Sequence, residues 1–421
     1  MSTDDLRGLV DTCVHCGFCL STCPTYELWG QEMDSPRGRI QLMKLGLEGE
    51  ELTDSTVTHM DRCLGCMACL TACPSGVRYD VLIAAKRAEV EENHERSRAQ
   101  RWLRGLIFAL FPRPGRLRLL RGPLRIAQWL RLDRLAKRVL SGRFPGLATM
   151  AALAPRLGPR PRLPHRVAAS EPERATVGML TGCVQREFFP EVNAATARVL
   201  AAEGCRVEIP ARQGCCGALS LHSGRRVEAA GYARSTIEAF GGVDTVVVNA
   251  AGCGSAMKEY GDVLADDPQW AGRARDFAAK VRDASEYLAE LEPRAPRHPL
   301  NLPVAYHDAC HLAHAQGISA QPRELLRAIP GLEVREIADA EICCGSAGVY
   351  NILQPEAATE LGDRKAANVL STEAELLVSA NPGCAMQIAS AAQRRGQSVR
   401  VAHLVEVLDA SIRGRHPDTL R

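Results

Sequence analysis

Aromatic residues and long apolar runs are scarce in this sequence of 421 residues. Aromatic side chains make up 5% of it, and no apolar run approaches the roughly 18–20 residues that cross a bilayer. No G-x-G-x-x-G fingerprint for a dinucleotide is evident, nor any motif of the kind that reads nucleic acid. These absences argue against an integral membrane protein, a nucleotide-binding dehydrogenase and a nucleic-acid reader. We therefore expect a soluble or peripheral protein of two or three domains.

No secretory leader is expected ahead of Cys13, the first of 17 cysteines. Because the cysteines occur in closely spaced groups, we expect metal ligands in a reducing cytosol rather than a set of disulfides.

Eight of the cysteines follow the spacing C-x2-C-x2-C-x3-C-P, once from Cys13 to Cys23 and again from Cys63 to Cys73. This is the ligand run of bacterial ferredoxins with two [4Fe-4S] clusters, where the fourth cysteine of each run binds the cluster of the other run. Zinc knuckles usually need only two close cysteines. The spacing predicts two clusters, one held by Cys13, Cys16, Cys19 and Cys73 and the other by Cys63, Cys66, Cys69 and Cys23.

Residues 1–95 would form the cluster domain. The 39 residues between Cys23 and Cys63 suit helices better than short β-hairpins, and Pro36 is typical of a helix start. We expect a mostly helical domain.

Residues 96–170 form a basic connector. From Arg96 to Arg166 there are 18 lysines and arginines against one acid, Asp133. Apolar residues from Trp102 to Leu135 alternate with them at roughly helical spacing. Such helices are typical of an anionic membrane surface, while a partner's docking surface and an arm folded over the protein itself remain alternatives. Three prolines are expected to divide the pattern into short helices: Pro112, Pro114 and Pro123.

From residue 171 the sequence repeats itself. Four cysteines of residues 171–295 recur in residues 296–421 at offsets of 127 to 131 positions, which predicts two copies of one structural unit. Strand-like runs alternate with helical stretches, so we expect parallel sheets with the cysteines after strand C-termini. The predicted strands are 175–180, 206–209 and 245–248, then 304–306, 332–334 and 376–378. The repeated cysteines are Cys183, Cys215, Cys216 and Cys253, then Cys310, Cys343, Cys344 and Cys384.

The repeated Cys-Cys-Gly pairs have three interpretations. They could hold a further iron–sulfur centre, which we favour, exchange electrons as dithiols, or pack as small buried hydrophobes. His307, His311 and His314 surround Cys310 and are candidate ligands or proton donors. Cys205 has no counterpart in the second copy and is expected to be structural.

With these motifs, the chain resembles the iron–sulfur subunit of glycolate oxidase over nearly its whole length. Segments 13–19, 23–26, 36–40, 74–79, 193–200 and 343–348 look like the corresponding parts of that subunit. The resemblance implies an electron-transfer subunit that takes electrons from FAD-binding flavoprotein subunits and passes them towards the quinone pool. It also implies a cytoplasmic complex, peripherally associated with the inner face of the cell membrane.

The two copies are also similar to the Cys-Cys-Gly domains of heterodisulfide reductase, whose repeats end in C-x-x-C. Here Ala256 and Gln387 follow Cys253 and Cys384 instead of that last cysteine, which leaves four thiols in each copy. We therefore predict an α+β multidomain protein with a two-cluster ferredoxin domain, a basic helical connector and two α/β halves. No substrate-oxidising residue is expected. Alternatives are the equivalent subunit for D-lactate or glycerol-3-phosphate, or a stand-alone disulfide or quinone reductase.

Overall fold

The computed structural model describes residues 3–130, 132, 145–158 and 160–420. Its described N-terminal part, up to Asn93, contains helices and no strand, as expected from the long spacing between the two cysteine runs. The helix that begins at Pro36 is capped by Ser35, whose Oγ accepts a hydrogen bond from the amide of Gly38 at 3.0 Å. The helices are Thr3–Asp11, Pro24–Trp29, Pro36–Leu47, Asp54–Arg62, Ala68–Ala72 and Tyr79–Asn93, with a 3-10 turn at Glu32–Asp34.

The connector forms the helices Arg98–Leu110, Pro114–Trp129 and Pro145–Leu153. Pro114 starts its helix, but Pro123 lies inside the same helix, so the prediction that Pro123 divides the pattern is wrong. Proline removes the hydrogen bond to the carbonyl four residues earlier, and its ring crowds that carbonyl. The residue concerned, Leu119, is 78% exposed, so its carbonyl can tilt outwards and bind water. The predicted apolar position Leu135 lies outside the described residues.

Part of the connector is anchored on the rest of the protein. Ile107 and Phe108 are buried against Val349 and Ile352 of the second half. None of the helices in the described ranges is long and apolar enough to cross a membrane.

The sheet of the first half has five strands in the order β1-β3-β2-β4-β5, and β1 comes from the end of the connector. All neighbours pair in parallel except β1, which is antiparallel to β3. The strands are β1 (Arg166–Val167), β2 (Ala175–Leu180), β3 (Cys205–Glu208), β4 (Val246–Val248) and β5 (Val281–Asp283). The helices are Val184–Phe188, Pro190–Ala202, Ala218–His222, Arg226–Ala239, Ala251–Lys258, Tyr260–Val263, Ala271–Lys280 and Ala284–Glu290.

The second half repeats this arrangement in a parallel sheet of order β7-β6-β8-β9. Its strands correspond one by one to β3, β2, β4 and β5, so the predicted repeat is a repeat of topology. The strands are β6 (Leu302–His307), β7 (Leu332–Glu336), β8 (Leu376–Ser379) and β9 (Arg400–Ala402). The helices are Cys310–Ala313, Ala320–Arg327, Tyr350–Leu353, Pro355–Leu370, Pro382–Arg394 and Leu404–Ile412, followed by a 3-10 turn at Pro417–Thr419.

The two halves share one core. Val177 and Met179 of β2 and Val304 and Tyr306 of β6 belong to the same buried apolar cluster. The fold class predicted from the sequence is thus confirmed, and the six predicted strands are present within a residue or two of their bounds.

A charged pair also joins the two halves. Arg198 on the helix Pro190–Ala202 donates two hydrogen bonds of 2.8 Å to the carboxylate of Asp409 on the helix Leu404–Ile412. The helices of the two halves are therefore tied side chain to side chain as well as through the apolar core.

Candidate functional site

The two cysteine runs have left-handed residues at the same two positions. In the first run His15 (φ 53°) and Gly17 (φ 87°) are left-handed, and in the second run Gly65 (φ 66°) and Met67 (φ 64°) occupy the same two positions. A left-handed residue reverses the chain sharply, which lets a loop with two-residue gaps turn its cysteines towards one point. The internal symmetry of the sequence is therefore also a symmetry of the loops.

The first predicted ligand set is brought together. One cavity is lined by Cys13, Cys16 and Cys19 of the first run and by Cys73 of the second. Cys73 of the second run thus lies with three cysteines of the first, but Cys69, which the spacing assigns to the other set, lines the same cavity. The division of the eight cysteines into two ligand sets stays a prediction.

The second predicted ligand set is buried deeper. Cys63, Cys66, Cys69 and Cys23 are all buried. Burial raises the pKa of the Cys69 thiol well above its usual range, and the charges of Cys66, Cys63 and Cys23 raise it further. Thiols that oppose one another's ionisation in this way stay protonated unless a cation lies between them, and this donor set fits an iron–sulfur cluster.

Two arginines stabilise negative charge at this second set. Burial opposes ionisation of Cys63, but the guanidinium groups of Arg39 and Arg87 lower the pKa of its thiol below the usual range. Arg39 is fully buried and donates to the carbonyl oxygens of His59 at 2.7 Å and Asp34 at 2.6 Å. Arg87 donates to the carbonyl oxygen of Cys63. Neither arginine was singled out from the sequence, because each belongs to an ordinary helix and meets the cysteines only through the fold.

The two sets differ in exposure to solvent. Cys16 is exposed, and its neighbours Val14 and Phe18 are 68% and 67% exposed. Apolar side chains left this open beside a redox site are typical of a docking surface. The first set therefore faces the outside and the second faces the interior.

The four thiols of the first half converge after β2, β3 and β4. The Cys216 thiol accepts hydrogen bonds from Cys215 and Cys253, which lower its pKa well below the usual range. The pKa of Cys215 is raised in turn by its contacts with Cys183 and Cys216. Gly217 follows the pair with φ 81° and packs against Ala229 and Tyr232, where a Cβ would be crowded.

The second half brings its own four thiols together in the same way. The Sγ atoms of Cys310 and Cys343 are 3.9 Å apart. Cys344 accepts from Cys343 and Cys384, which lowers its pKa well below the usual range. Asn381 donates to the Cys384 sulfur at 3.3 Å. Each half therefore presents a compact set of four thiols.

The second half, moreover, touches the second cluster set directly. Cys66 packs in one buried apolar cluster with Cys310, Cys343 and Tyr350. The charge of Cys310 also raises the pKa of Cys66, after burial. The inner cluster position and the thiols of the second half are thus immediate neighbours.

The three candidate histidines have different surroundings. His311 bridges the inner cluster loop and the first half, with its Nε2 3.0 Å from the carbonyl oxygen of Gly65 and its Nδ1 3.2 Å from Ser255 Oγ. His314 contacts Thr71 Oγ1 at 2.9 Å. His307 lies among the thiols of its own half. Cys205 is buried, with its sulfur 3.7 Å from the hydroxyl of Tyr287, outside the thiol set of the first half.

Family models account for the chain in three parts. A 4Fe-4S dicluster domain matches residues 9–77. The linker region of the glycolate oxidase iron-sulfur subunit matches residues 99–154. A cysteine-rich domain, named for its Cys-Cys-Gly motif, matches twice, at residues 177–258 and 304–389. The protein therefore contains iron–sulfur clusters, as the cysteine spacing predicts.

Curated relatives match along almost the whole chain. The probable glycolate oxidase iron-sulfur subunit of Bacillus subtilis is 39% identical over 416 residues, which cover 96% of this chain and 94% of the relative. The glycolate oxidase iron-sulfur subunit of Escherichia coli is 37% identical over 412 residues, covering 96% and 95%. Lactate utilization protein A of Halalkalibacterium halodurans is 31% identical, but the match covers 57% of this chain and 98% of that protein. On this identity and coverage, the chain belongs to the family of glycolate oxidase iron–sulfur subunits.

Proposed function

We propose that this chain is the electron-transfer subunit of a membrane-associated, flavin-dependent glycolate dehydrogenase and passes electrons from flavoprotein subunits towards quinone. Oxidation of a 2-hydroxy acid releases two electrons and two protons, which a partner's flavin accepts. Iron–sulfur clusters carry one electron at a time and no proton, so two passages serve each turnover. The contact between Cys66 and the second-half thiols carries this proposal, because it joins the cluster domain to a second redox site.

The first cluster position is suited to receive electrons from a partner. Cys16 is exposed and lies between two largely exposed apolar side chains, Val14 and Phe18. An apolar patch at a redox centre allows a flavoprotein to approach the ligands closely without displacing polar groups. Electrons would therefore enter at Cys13, Cys16, Cys19 and Cys73 and move inwards.

The inner cluster position is suited to pass electrons on to the second half. The guanidinium groups of the buried Arg39 and the half-buried Arg87 stabilise the negative charge that the inner thiolates carry. Electrons would leave through Cys66 towards Cys310 and Cys343, which belong to the same buried cluster.

The connector is the part of this chain best suited to an anionic membrane. On the helix Pro114–Trp129, Leu119, Ile126 and Trp129 are 78%, 59% and 81% exposed, among several arginines of the same helix. Exposed apolar and basic side chains on one helix are typical of elements that lie in the lipid headgroup region. The other end of the connector, at Ile107 and Phe108, is buried in the protein and holds the helix in place.

The relay is tested with the purified complex, by measuring glycolate-driven reduction of a soluble dye and of quinone. Cys16→Ser and Cys310→Ser should each abolish quinone reduction. Cys183→Ser, the matched change in the first half, should leave most of it. In Cys310→Ser, electron paramagnetic resonance should still show both N-terminal clusters reduced by glycolate. Quinone reduction that survives in Cys16→Ser would contradict the relay, and equal loss in Cys183→Ser would contradict the exit through the second half.

Membrane attachment is tested by flotation with vesicles that contain anionic phospholipid. Replacing Leu119, Ile126 and Trp129 together by serine should reduce the vesicle-bound fraction at least tenfold. Val227→Ser is the control, since Val227 is 85% exposed on a first-half helix. Binding should also weaken as salt is raised, because arginines contribute to it. If the triple variant binds vesicles as well as the control, the connector is not the attachment site.

The flavoprotein partner would handle glycolate rather than D-lactate. The family model of the glycolate oxidase linker covers residues 99–154, while the lactate utilization relative covers 57% of this chain. Co-purification of the partner subunits and their turnover with each acid would decide the substrate.

A further inference from the structure

His307, at the end of β6, is a buried polar side chain beside the thiol of Cys344. It is 1% exposed, and neither ring nitrogen has a hydrogen-bond partner among the described residues. Buried imidazole nitrogens carry a desolvation cost when they are left unpaired. Such a group in a folded protein therefore calls for a partner of another kind.

The ring of His307 lies among thiols. Its ligand nitrogen and the sulfur atoms of Cys344 and Cys384 all lie within 4.8 Å of one another. Cys310 and Cys343 are at the same place, with their sulfur atoms 3.9 Å apart. Five potential metal donors thus converge in the second half.

The first half has no equivalent of this histidine. Three residues before the first cysteine of each half, β2 has Leu180 where β6 has His307. Five residues before the last cysteine, β4 has Val248 where β8 has Ser379. The sheet registers agree, since Leu180 pairs with Val248 and His307 pairs with Ser379. The fold therefore accommodates two apolar side chains at these paired positions, so packing alone does not explain why the second half has polar ones.

Ser379, like His307, is a buried polar residue without a hydrogen-bond partner among the described residues. It is 3% exposed. The neighbouring strands β6 and β8 thus both end in unpartnered polar groups, beside the four thiols of the second half and next to the inner cluster position.

We propose that the second half holds an iron–sulfur centre with mixed ligands, in which His307 binds iron together with cysteines of the set Cys310, Cys343, Cys344 and Cys384. Ser379 would hydrogen-bond to the same centre. The first half, which has Leu180 instead, would have thiolate donors alone. This inference rests on the proposed role of the second half as the exit of the relay.

The chemical consequence is a difference in reduction potential between the halves. Imidazole is neutral where a thiolate is negative, and replacing thiolates by histidine raises the potential of a cluster, as in Rieske centres. A higher potential beside Cys66 would draw electrons out of the inner cluster. The second half is then the electron-accepting half, and its histidine sets that preference.

The test uses the full chain, purified anaerobically with its clusters and labelled with ¹⁵N-histidine. Pulsed electron paramagnetic resonance of the reduced protein should show a centre beyond the two N-terminal clusters, with strong coupling to histidine nitrogen. His307→Leu, which copies the first half, should abolish that coupling and leave the two N-terminal signals unchanged. His222→Leu is the control, because His222 also has a buried and unpartnered Nε2, and this variant should retain the coupling.

His307→Cys keeps the inference testable if the leucine variant loses the centre altogether. With a thiolate in place of the imidazole, the centre should remain, without nitrogen coupling and with a lower reduction potential. A third centre without nitrogen coupling in the wild type would overturn the inference, as would coupling that persists in His307→Leu. The absence of any third centre would also overturn it, while the relay through the N-terminal clusters would still be judged separately by Cys16→Ser.

Discussion

Replacing Arg39 by methionine should make the inner cluster far easier to lose. The Arg39 side chain is 1% exposed and that of its partner Asp34 is 0% exposed. The guanidinium donates to the carbonyl oxygens of His59 and Asp34 and to Thr25 Oγ1, at 2.7, 2.6 and 3.1 Å. Thr25 Oγ1 lies 3.2 Å from the sulfur of Cys23. One side chain therefore holds the segments that carry cysteines of both runs.

The cost can be worked out from these contacts. Removing one partner of a buried ion pair typically costs about 3–5 kcal/mol. Asp34 keeps His59 and Arg62 at 2.8 Å each, so we take the lower end, about 3 kcal/mol. Because about 1.4 kcal/mol corresponds to a factor of ten, local opening around the inner cluster should become about 100-fold more frequent. Cluster loss through such openings should accelerate by the same factor.

The assay is the rate at which iron passes to a colorimetric chelator under anaerobic conditions. Arg62→Met is the matched control, because Arg62 also pairs with Asp34 but its side chain is 27% exposed. A pair with one partly exposed member contributes less than a fully buried pair, so iron release in Arg62→Met should rise less than tenfold. Equal release rates in the two variants would refute the reasoning, since they would show that burial of Arg39 adds nothing.

Two further predictions concern the contacts between parts of the chain. Burial raises the pKa of Glu406 to about 7, so its contribution to stability is present below the unfolded value of 4.5 and lost as the pH rises through 7. Glu406→Gln keeps the hydrogen bond from the amide of His403. At pH 8 this variant should slow hydrogen exchange of residues 404–412, by up to about 3 kcal/mol of local stability. Unchanged exchange would argue against a buried charge at Glu406. Gly224 has φ 81°, and a Cβ there would lie 2.2 Å from the carbonyl oxygen of Arg87. Gly224→Ala should therefore loosen the helix Tyr79–Asn93 from the first half and raise its hydrogen exchange, while Gly214→Ala, with open space around it, should not.

The sequence was most informative where the determinants are local. Ligand spacing within each run is a property of a few consecutive residues, and the loops that carry Cys13 and Cys63 follow from it. Strands such as β2 and β6 were predictable because their apolar runs end at cysteines. Short edge strands were missed, since β5 and β9 have three residues each, with Arg282 and Asp283 in one and Arg400 in the other.

Contacts between distant segments could not be predicted in the same way. His311 meets Gly65 across 246 positions of sequence, and Arg87 meets the carbonyl of His222 across 135. No periodicity or spacing encodes such pairs, because each depends on how two finished domains dock. The connector shows both cases: its helices followed from amphipathic spacing, whereas the burial of Ile107 and Phe108 under the second half did not.

The unequal exposure of the two cluster positions has a consequence for the order in which the clusters are damaged in air. Dioxygen and chelators reach Cys16 from solvent, but they reach Cys23, Cys63, Cys66 and Cys69 only after the fold opens. Damage in air should therefore be sequential, with the outer cluster destroyed first and the inner one preserved. A molecule that has lost only the outer cluster would keep about half of its N-terminal iron. It could nevertheless no longer accept electrons from its donor. The iron content would then overstate the fraction of active protein in a preparation.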